Sequence, residues 1–124
     1  MARIMRIRYV NLEEVDAVLT VTFAEGPGEE GFLLHVMRAV PDEEESFDVE
    51  LENYELANAA HDVVEGGVAH WSLAGNALRL SLTADAAAEL RTAQDLSFEL
   101  DVPSRTLREL DAALTTALAP VGEV

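Results

Sequence analysis

The sequence contains no cysteine and no lysine, and all eight of its strongly basic residues are arginine. Without cysteine there is no disulfide, no thiolate metal site and no cysteine nucleophile. Without lysine, a phosphate-binding P-loop, a Schiff base and a lysine general base are excluded together. Long apolar runs are also lacking, because no stretch approaches the roughly 20 apolar residues that cross a bilayer. These absences remove many classes of enzyme and membrane protein.

The most unusual property of the sequence is its acidity. Among 124 residues, 24 are acidic and 8 are basic, which gives a formal net charge of −16. The apolar fraction of 49% and the charged fraction of 26% are close to globular averages, so we predict one folded domain over residues 1–124. A polyanion repels nucleic acid and anionic lipid, and the arginine-interrupted N-terminus lacks the features of a secretory signal. We therefore expect a cytoplasmic protein with no nucleic-acid or membrane partner.

Alternating apolar and polar residues predict strands over much of the first hundred positions. Four strands are predicted before residue 53, near 3–10, 17–23, 32–40 and 47–52. The third of these is nearly all apolar, which is typical of a strand that is covered on both faces. The alternation fails over residues 53–67, and we interpret that stretch as a loop.

The clearest local prediction is a β-hairpin with Gly75-Asn76 at its tip. Glycine followed by asparagine suits a two-residue type II′ turn. Closing the hairpin there pairs Leu73 with Leu78, Trp71 with Leu80 and Ala69 with Leu82, all on one face. A shift of one residue would move Trp71 into water, so the turn and the hydrophobic register predict the same pairing.

The last third of the chain predicts two helices and one strand. Thr83 is the expected N-cap of a short helix over residues 84–91, and alternation predicts a strand over 96–100. A leucine stripe at helical spacing then predicts a C-terminal helix with Ser104 as its N-cap. The predicted fold is therefore α+β: a twisted, mostly antiparallel sheet with the C-terminal amphipathic helix packed on one face, plus the short helix.

No group of residues predicts catalysis. His61, Asp62 and His70 do not follow the spacing of known zinc sites, and none of the serines lies in a nucleophile elbow. The glycine-rich turns do not precede the helix that a phosphate-binding loop requires. We predict a protein that is not an enzyme and binds no cofactor and no metal. The alternative is a small metal-dependent hydrolase, in which His61, Asp62 and His70 would line a deep pocket.

An acidic run between Asp42 and Glu55 contains eight carboxylates. Every second residue of its predicted strand is acidic, which places these carboxylates about 6.6 Å apart along one face. Such a row attracts a basic protein surface. The candidate partner-binding residues are therefore Asp48, Glu50, Glu52 and Glu55. Two other interpretations stay open at this point: a solvated face that protects a sheet edge, and a weak Ca²⁺ or Mg²⁺ site.

Several features follow one another in a characteristic order over roughly residues 45–118. They are the tyrosine-bearing segment Leu51-Glu52-Asn53-Tyr54, the Gly66-Gly67 turn, the hairpin with its Gly75-Asn76 tip, the Ala-rich helix over 84–90, the strand over 96–100 and the leucine-striped helix. This order resembles the immunity protein 10 family of bacterial polymorphic-toxin systems. The resemblance rests on order and spacing rather than on a catalytic signature.

The resemblance implies a non-enzymatic cytoplasmic protein that binds and neutralises a cognate toxin domain. It implies no catalytic, cofactor-binding or metal-binding residue. The acidity favours a toxin with a basic surface, such as a nuclease, because opposite charges accelerate association. The alternative is an acidic interaction or scaffold module, possibly a homodimer through a sheet edge.

Overall fold

A computed structural model describes residues 4–26, 32–39 and 54–118. These residues form strands and helices in the predicted α+β class. The strands are β1 (Ile4–Ile7), β2 (Tyr9–Val15), β3 (Val18–Ala24), β4 (Leu33–Ala39), β5 (Tyr54–Asn58), β6 (Val63–Glu65), β7 (Val68–Ala74), β8 (Ala77–Leu82) and β9 (Asp95–Leu100). The helices are α1 (Ala84–Leu90) and α2 (Ser104–Ala117). The predicted strand at 47–52 lies outside the described residues.

The strands divide into two sheets, whereas the sequence suggested one. A four-stranded sheet has the order β1-β9-β8-β7, and a five-stranded sheet has the order β2-β3-β4-β5-β6. Among the described strands, β1 and β9 are the one parallel pair. The inner faces of the sheets meet in a common core, where the rings of Phe23 and Phe98 stack with centroids 5.9 Å apart. Trp71 is also buried there, at 1% exposure.

Helix α2 packs on the inner face of the five-stranded sheet, as the prediction of a helix on one sheet face requires. Its leucine stripe is confirmed, because Leu110 and Leu114 are fully buried and Leu118 follows them into the core. Arg38, on β4, donates a hydrogen bond to the Thr116 carbonyl in the last turn of α2. A cation is favourable at that end of a helix because the unpaired carbonyls carry partial negative charge.

The predicted strand near residues 3–10 is wrong as a single strand. The chain leaves the four-stranded sheet after Ile7 and enters the five-stranded sheet at Tyr9, with Arg8 between them. Ile7 is therefore fully buried, while Tyr9 lies on an outer face and is 48% exposed. Alternation continues through Arg8, so the local pattern carries no sign of the change of sheet.

Two hairpins follow different turn chemistries. Between β2 and β3, Asp16 and Ala17 have φ values of 51° and 62°, as a type I′ turn requires. Between β7 and β8, Gly75 has a φ of 60°. The predicted register is confirmed from the turn as far as the pair of Trp71 and Leu80. The predicted pairing of Ala69 with Leu82 is wrong, because a bulge removes Ala69 from the ladder and brings Val68 opposite Leu82.

The predicted loop over residues 53–67 is wrong in its described part, because β5 and β6 form a hairpin there. Asn58 organises the turn: its Oδ1 accepts the N–H groups of Ala60 at 3.1 Å and Asp62 at 2.9 Å. Tyr54 then connects the two sheets, because its hydroxyl accepts the Val68 N–H at 2.9 Å and donates to the Val68 carbonyl at 3.3 Å. Tyr54 thus has a structural role, because its hydroxyl links β5 to β7.

Three further predictions have mixed outcomes. Thr83 is confirmed as the N-cap of α1, because its side chain accepts the Ala86 N–H at 3.2 Å. Ser104 as N-cap of α2 is wrong: Pro103 occupies the cap position without a side-chain hydrogen bond. The prediction that β4 is covered on both faces is wrong, because only its inner face is deeply buried, at Leu34 and Val36. Gly67 fits close to α1, since a Cβ there would lie 2.6 Å from the Ala86 Cβ.

Candidate partner-binding face

The outer face of the five-stranded sheet, here called the acidic face, carries a row of carboxylates across the strands. The register runs from Glu13 on β2 to Thr20, then Met37, Glu55 and Glu65 on successive strands. Adjacent strands lie about 4.8 Å apart, so the row crosses roughly 19 Å of the surface. Glu13, Glu55 and Glu65 are together called the glutamate row.

The glutamate row is exposed, and none of its carboxylates forms an ion pair within the described part of the chain. Glu55 and Glu65 are direct cross-strand neighbours, an arrangement that destabilises a sheet because like charges repel. No arginine lies on this face among the residues of β2 to β6 that the structure describes. The face therefore presents uncompensated negative charge to solvent.

Exposed apolar side chains flank the glutamate row. Val15 is 53% exposed and Val18 is 37% exposed, and these residues are directly paired beside Ala39 at the end of the sheet. At the opposite end of β2, Tyr9 is also exposed. Apolar surface bordered by charge is the usual composition of a protein interface. The acidic face thus combines the two kinds of group that a protein partner would bury.

A histidine on the acidic face does not balance its charge. His35, on β4, is half-buried, and its Nδ1 lies 2.8 Å from the Thr22 hydroxyl in a hydrogen bond. Burial lowers the pKa of His35 below its usual value, and the nearby His61 lowers it further. The imidazole is therefore uncharged at neutral pH, and the glutamate row keeps its full negative field.

The four predicted partner-binding residues divide between described and undescribed parts of the chain. Glu55 lies exposed on the acidic face, whereas Asp48, Glu50 and Glu52 lie outside the described residues. The chain leaves β4 after Ala39 and returns at Tyr54, which pairs with Arg38. The segment that contains the acidic run therefore connects two paired strands of this same sheet.

Sequence reasoning missed two members of the glutamate row. Glu13 was overlooked because residues 9–15 were not recognised as a strand, although Asn11 and Glu13 alternate there with Val10 and Leu12. Glu65 was overlooked because residues 53–67 were interpreted as a loop. Only the sheet register shows that Glu65 lies beside Glu55.

The residues considered for a hydrolase site lie in different settings. Asp62 accepts a hydrogen bond from Asn58 Nδ2 at 3.0 Å and lies 3.8 Å from the Arg91 guanidinium. His70 lies on the four-stranded sheet, paired with Ser81. Among the residues that the structure describes, no three His, Asp or Glu side chains are grouped as metal ligands.

The outer face of the four-stranded sheet, here called the balanced face, differs from the acidic face. Its basic and acidic groups are paired: Arg6 lies 3.9 Å from both Glu99 and Asp101, and the Ser81 hydroxyl donates to Asp95 at 3.0 Å. Arg79 lies between serines on both neighbouring strands. This face is polar and close to neutral.

In the described part of the chain, no helix has the length and apolarity needed to span a bilayer. A search among curated proteins gave no match. The family model for immunity protein 10 matches residues 6–108, a range that includes the acidic face, the balanced face and the start of α2. The resemblance seen in the sequence is confirmed, and the chain belongs to the immunity protein 10 family.

Proposed function

We propose that this protein binds a cognate bacterial toxin domain through its acidic face and neutralises it by occupying the toxin's functional surface. The family match over residues 6–108 is the observation that carries the proposal, because an immunity protein acts on a toxin. No chemical step on the toxin is required. The complex would form in the cytoplasm, where a toxin that attacks nucleic acid meets its substrate.

The acidic face gives the complex a physical basis. The exposed carboxylates of the glutamate row lie on a rigid sheet and have no ion-pair partner within the described residues. Fixed negative charge steers a basic partner into encounter and raises the association rate. The exposed Val15 and Val18 supply apolar area that contact would remove from water. Charge would set the approach, and apolar contact would stabilise the bound state.

The charge of the face favours a nuclease as the toxin. A nuclease holds the phosphate backbone of its substrate in a basic cleft, and exposed carboxylates can occupy such a cleft in place of phosphates. The undescribed acidic residues Asp48, Glu50 and Glu52 would extend the same field, because their segment begins and ends at β4 and β5.

Co-expression with the toxin domain encoded by the neighbouring gene tests the proposal. We expect the chain to restore growth of a sensitive host and to form a 1:1 complex by light scattering. The dissociation constant should rise at least tenfold between about 50 mM and about 500 mM NaCl, because salt screens exposed charges. A toxin domain from an unrelated locus is the control. Growth restored without a stable complex would overturn the proposal.

A further inference from the structure

The β2 strand forms an edge of the five-stranded sheet and is unusually regular for an edge. All of its seven residues pair with β3 in continuous register, without a bulge. Edge strands normally carry a bulge, a proline or a lysine that discourages pairing with another chain. β2 has no bulge, proline or lysine, and its charged residues are Glu13 and Glu14. The side of β2 that faces away from β3 has no strand partner within the described part of the chain.

The hydrogen-bonding groups along β2 alternate between the sheet and the free edge. The Glu25 N–H donates to the Phe32 carbonyl, just beyond the Ala24–Leu33 pair. Because hydrogen-bonded and non-hydrogen-bonded pairs alternate along antiparallel strands, Ala24 and Leu33 form a non-hydrogen-bonded pair between β3 and β4. The backbone groups of Ala24 and of every second residue in β3 therefore point to β2. In β2 itself, the N–H and C=O groups that point away from β3 belong to Val10, Leu12 and Glu14.

The outward groups allow a second copy of β2 to pair with the first about a two-fold axis at Leu12. Leu12 then forms a hydrogen-bonded pair with Leu12 of the other copy, and Val10 pairs with Glu14 on both sides of the axis. Each of these pairs supplies two hydrogen bonds. This is the register in which all seven residues of β2 find a partner.

The side chains on the acidic face are complementary in this same register. Asn11 lies opposite Glu13, so an amide N–H₂ faces a carboxylate. Tyr9, which is 48% exposed, lies opposite Val15, which is 53% exposed. Two-fold symmetry repeats both contacts. Registers centred on Glu13 or Glu14 would instead place carboxylates directly opposite each other, which is unfavourable.

We propose that this protein forms a symmetric dimer in which the two β2 strands pair antiparallel about Leu12. The two five-stranded sheets then join into one continuous sheet, and both acidic faces lie on the same side of it. This dimer goes beyond the proposed toxin binding and does not depend on it. The net charge of −16 on each copy opposes association, so added salt strengthens the dimer. Salt has the opposite effect on the proposed toxin complex.

Sedimentation equilibrium of the full chain tests the association. Loading concentrations from about 10 µM to about 1 mM cover weak self-association, and each is measured at low and high NaCl. We expect a monomer–dimer equilibrium whose dissociation constant falls as salt rises. A monomer under every condition would overturn the proposal.

Variants at Asn11 and Glu13 test the register. Both side chains are exposed, so their substitution leaves the core unchanged. N11E creates two Glu–Glu contacts across the axis and should weaken the dimer about tenfold. The double variant N11E/E13N exchanges the two side chains and should restore the affinity. Val63→Glu adds a charge on exposed β6, at the other edge of the sheet, and is the control. A dimer that N11E does not weaken, or that the exchange does not restore, contradicts this register.

A single introduced cysteine gives a direct geometric measurement, because the natural chain has none. Leu12→Cys places two thiols across the axis at a separation that a disulfide can bridge. Val10→Cys lies opposite Glu14 and has no thiol within reach. Under mild oxidation we expect a covalent dimer from L12C and none from V10C. Equal cross-linking of both variants would show that collisions, rather than β2 pairing, bring the chains together.

Discussion

The outer faces of the two sheets differ in whether their charged side chains are paired. On the balanced face, Arg6 lies between two carboxylates and Asp95 accepts a hydrogen bond from a neighbouring hydroxyl. On the acidic face, Glu55 and Glu65 lie side by side, and no arginine lies on that face of the described strands. The first arrangement is internally satisfied, and the second leaves its charge for another molecule to neutralise.

The difference separates stability from recognition within one small domain. A directly opposed carboxylate pair costs free energy in a sheet, so the glutamate row does not help the protein to fold. Surface groups that reduce stability are common where binding or activity requires them. The acidic face is therefore the region to alter when testing binding, and the balanced face supplies matched controls.

The largest expected effect is a charge reversal on the acidic face. The variant Glu55→Lys/Glu65→Lys should weaken toxin binding about 100-fold, because two attractive contacts become repulsive. Asp95→Lys/Glu99→Lys makes the same change of charge on the balanced face and should alter the dissociation constant less than about threefold. Isothermal titration calorimetry of each purified variant with the toxin domain measures the dissociation constant. Equal losses for both pairs would mean that net charge, and not this face, controls binding.

The acidic run outside the described residues gives the next effect. Glu50→Lys/Glu52→Lys should weaken toxin binding by well over tenfold if the run extends the acidic face. The comparison variant is Glu89→Lys/Asp111→Lys, which reverses two exposed charges on the helices. An unchanged affinity for E50K/E52K would remove the run from the interface and leave the glutamate row as the contact.

Stability should respond in opposite directions on the two faces. Glu65→Gln removes the repulsion from Glu55 and should raise the free energy of unfolding by about 0.5 kcal/mol. Glu99→Gln removes an exposed ion pair and should lower it by no more than about 0.5 kcal/mol. Urea unfolding measures both values. If Glu65→Gln destabilises the protein, repulsion between Glu55 and Glu65 does not reduce the stability of the native sheet.

The half-buried His35 predicts a pH dependence of stability. Burial and the nearby His61 lower the pKa of His35, so below the usual histidine pKa the unfolded chain binds more protons than the native one. The free energy of unfolding should therefore fall as pH decreases from about 7.5 to about 5.5. The variant His35→Gln should show a shallower decrease in urea unfolding. An identical decrease in both proteins would assign the effect to other groups.

The smallest effect is expected at Arg6. Both of its carboxylate partners lie 3.9 Å away, and all three side chains are more than half exposed. Exposed pairs of this kind contribute about 0–1 kcal/mol because water and salt screen them. Arg6→Gln should change the thermal unfolding temperature by no more than a few degrees and leave toxin binding unaltered. A loss of toxin binding would place the balanced face in the interface.

The parts of the fold that the sequence predicts well are those where two local signals agree. The β7–β8 hairpin combines a Gly75-Asn76 turn with alternating apolar residues, and its register is confirmed near the turn. The bulge at Ala69 has no such signal, so the pairing beyond it is wrong. The short strands β5 and β6 escaped prediction because small and polar residues surround them, and tertiary packing decides their state.

The candidate site was only partly predictable for a related reason. Glu55 belongs to a visible run of carboxylates, but it lies in the stretch that was predicted to be a loop, and the structure places it on β5. Glu13 and Glu65 are far apart in sequence, and the five-strand register alone brings them into one row. A surface assembled from separate strands cannot be read from the spacing of residues in one segment.

The chain contains one tryptophan, Trp71, and its indole N–H finds no acceptor within the described part of the structure. A ring so fully removed from water should emit fluorescence at short wavelength in the native protein and shift to longer wavelength on unfolding. The ring belongs to the four-stranded sheet and lies between the sheets, whereas the acidic face is the far side of the other one. Its emission should therefore change on unfolding but not when a toxin binds to the acidic face. One optical signal can thus distinguish a variant that no longer folds from a folded variant that no longer binds the toxin.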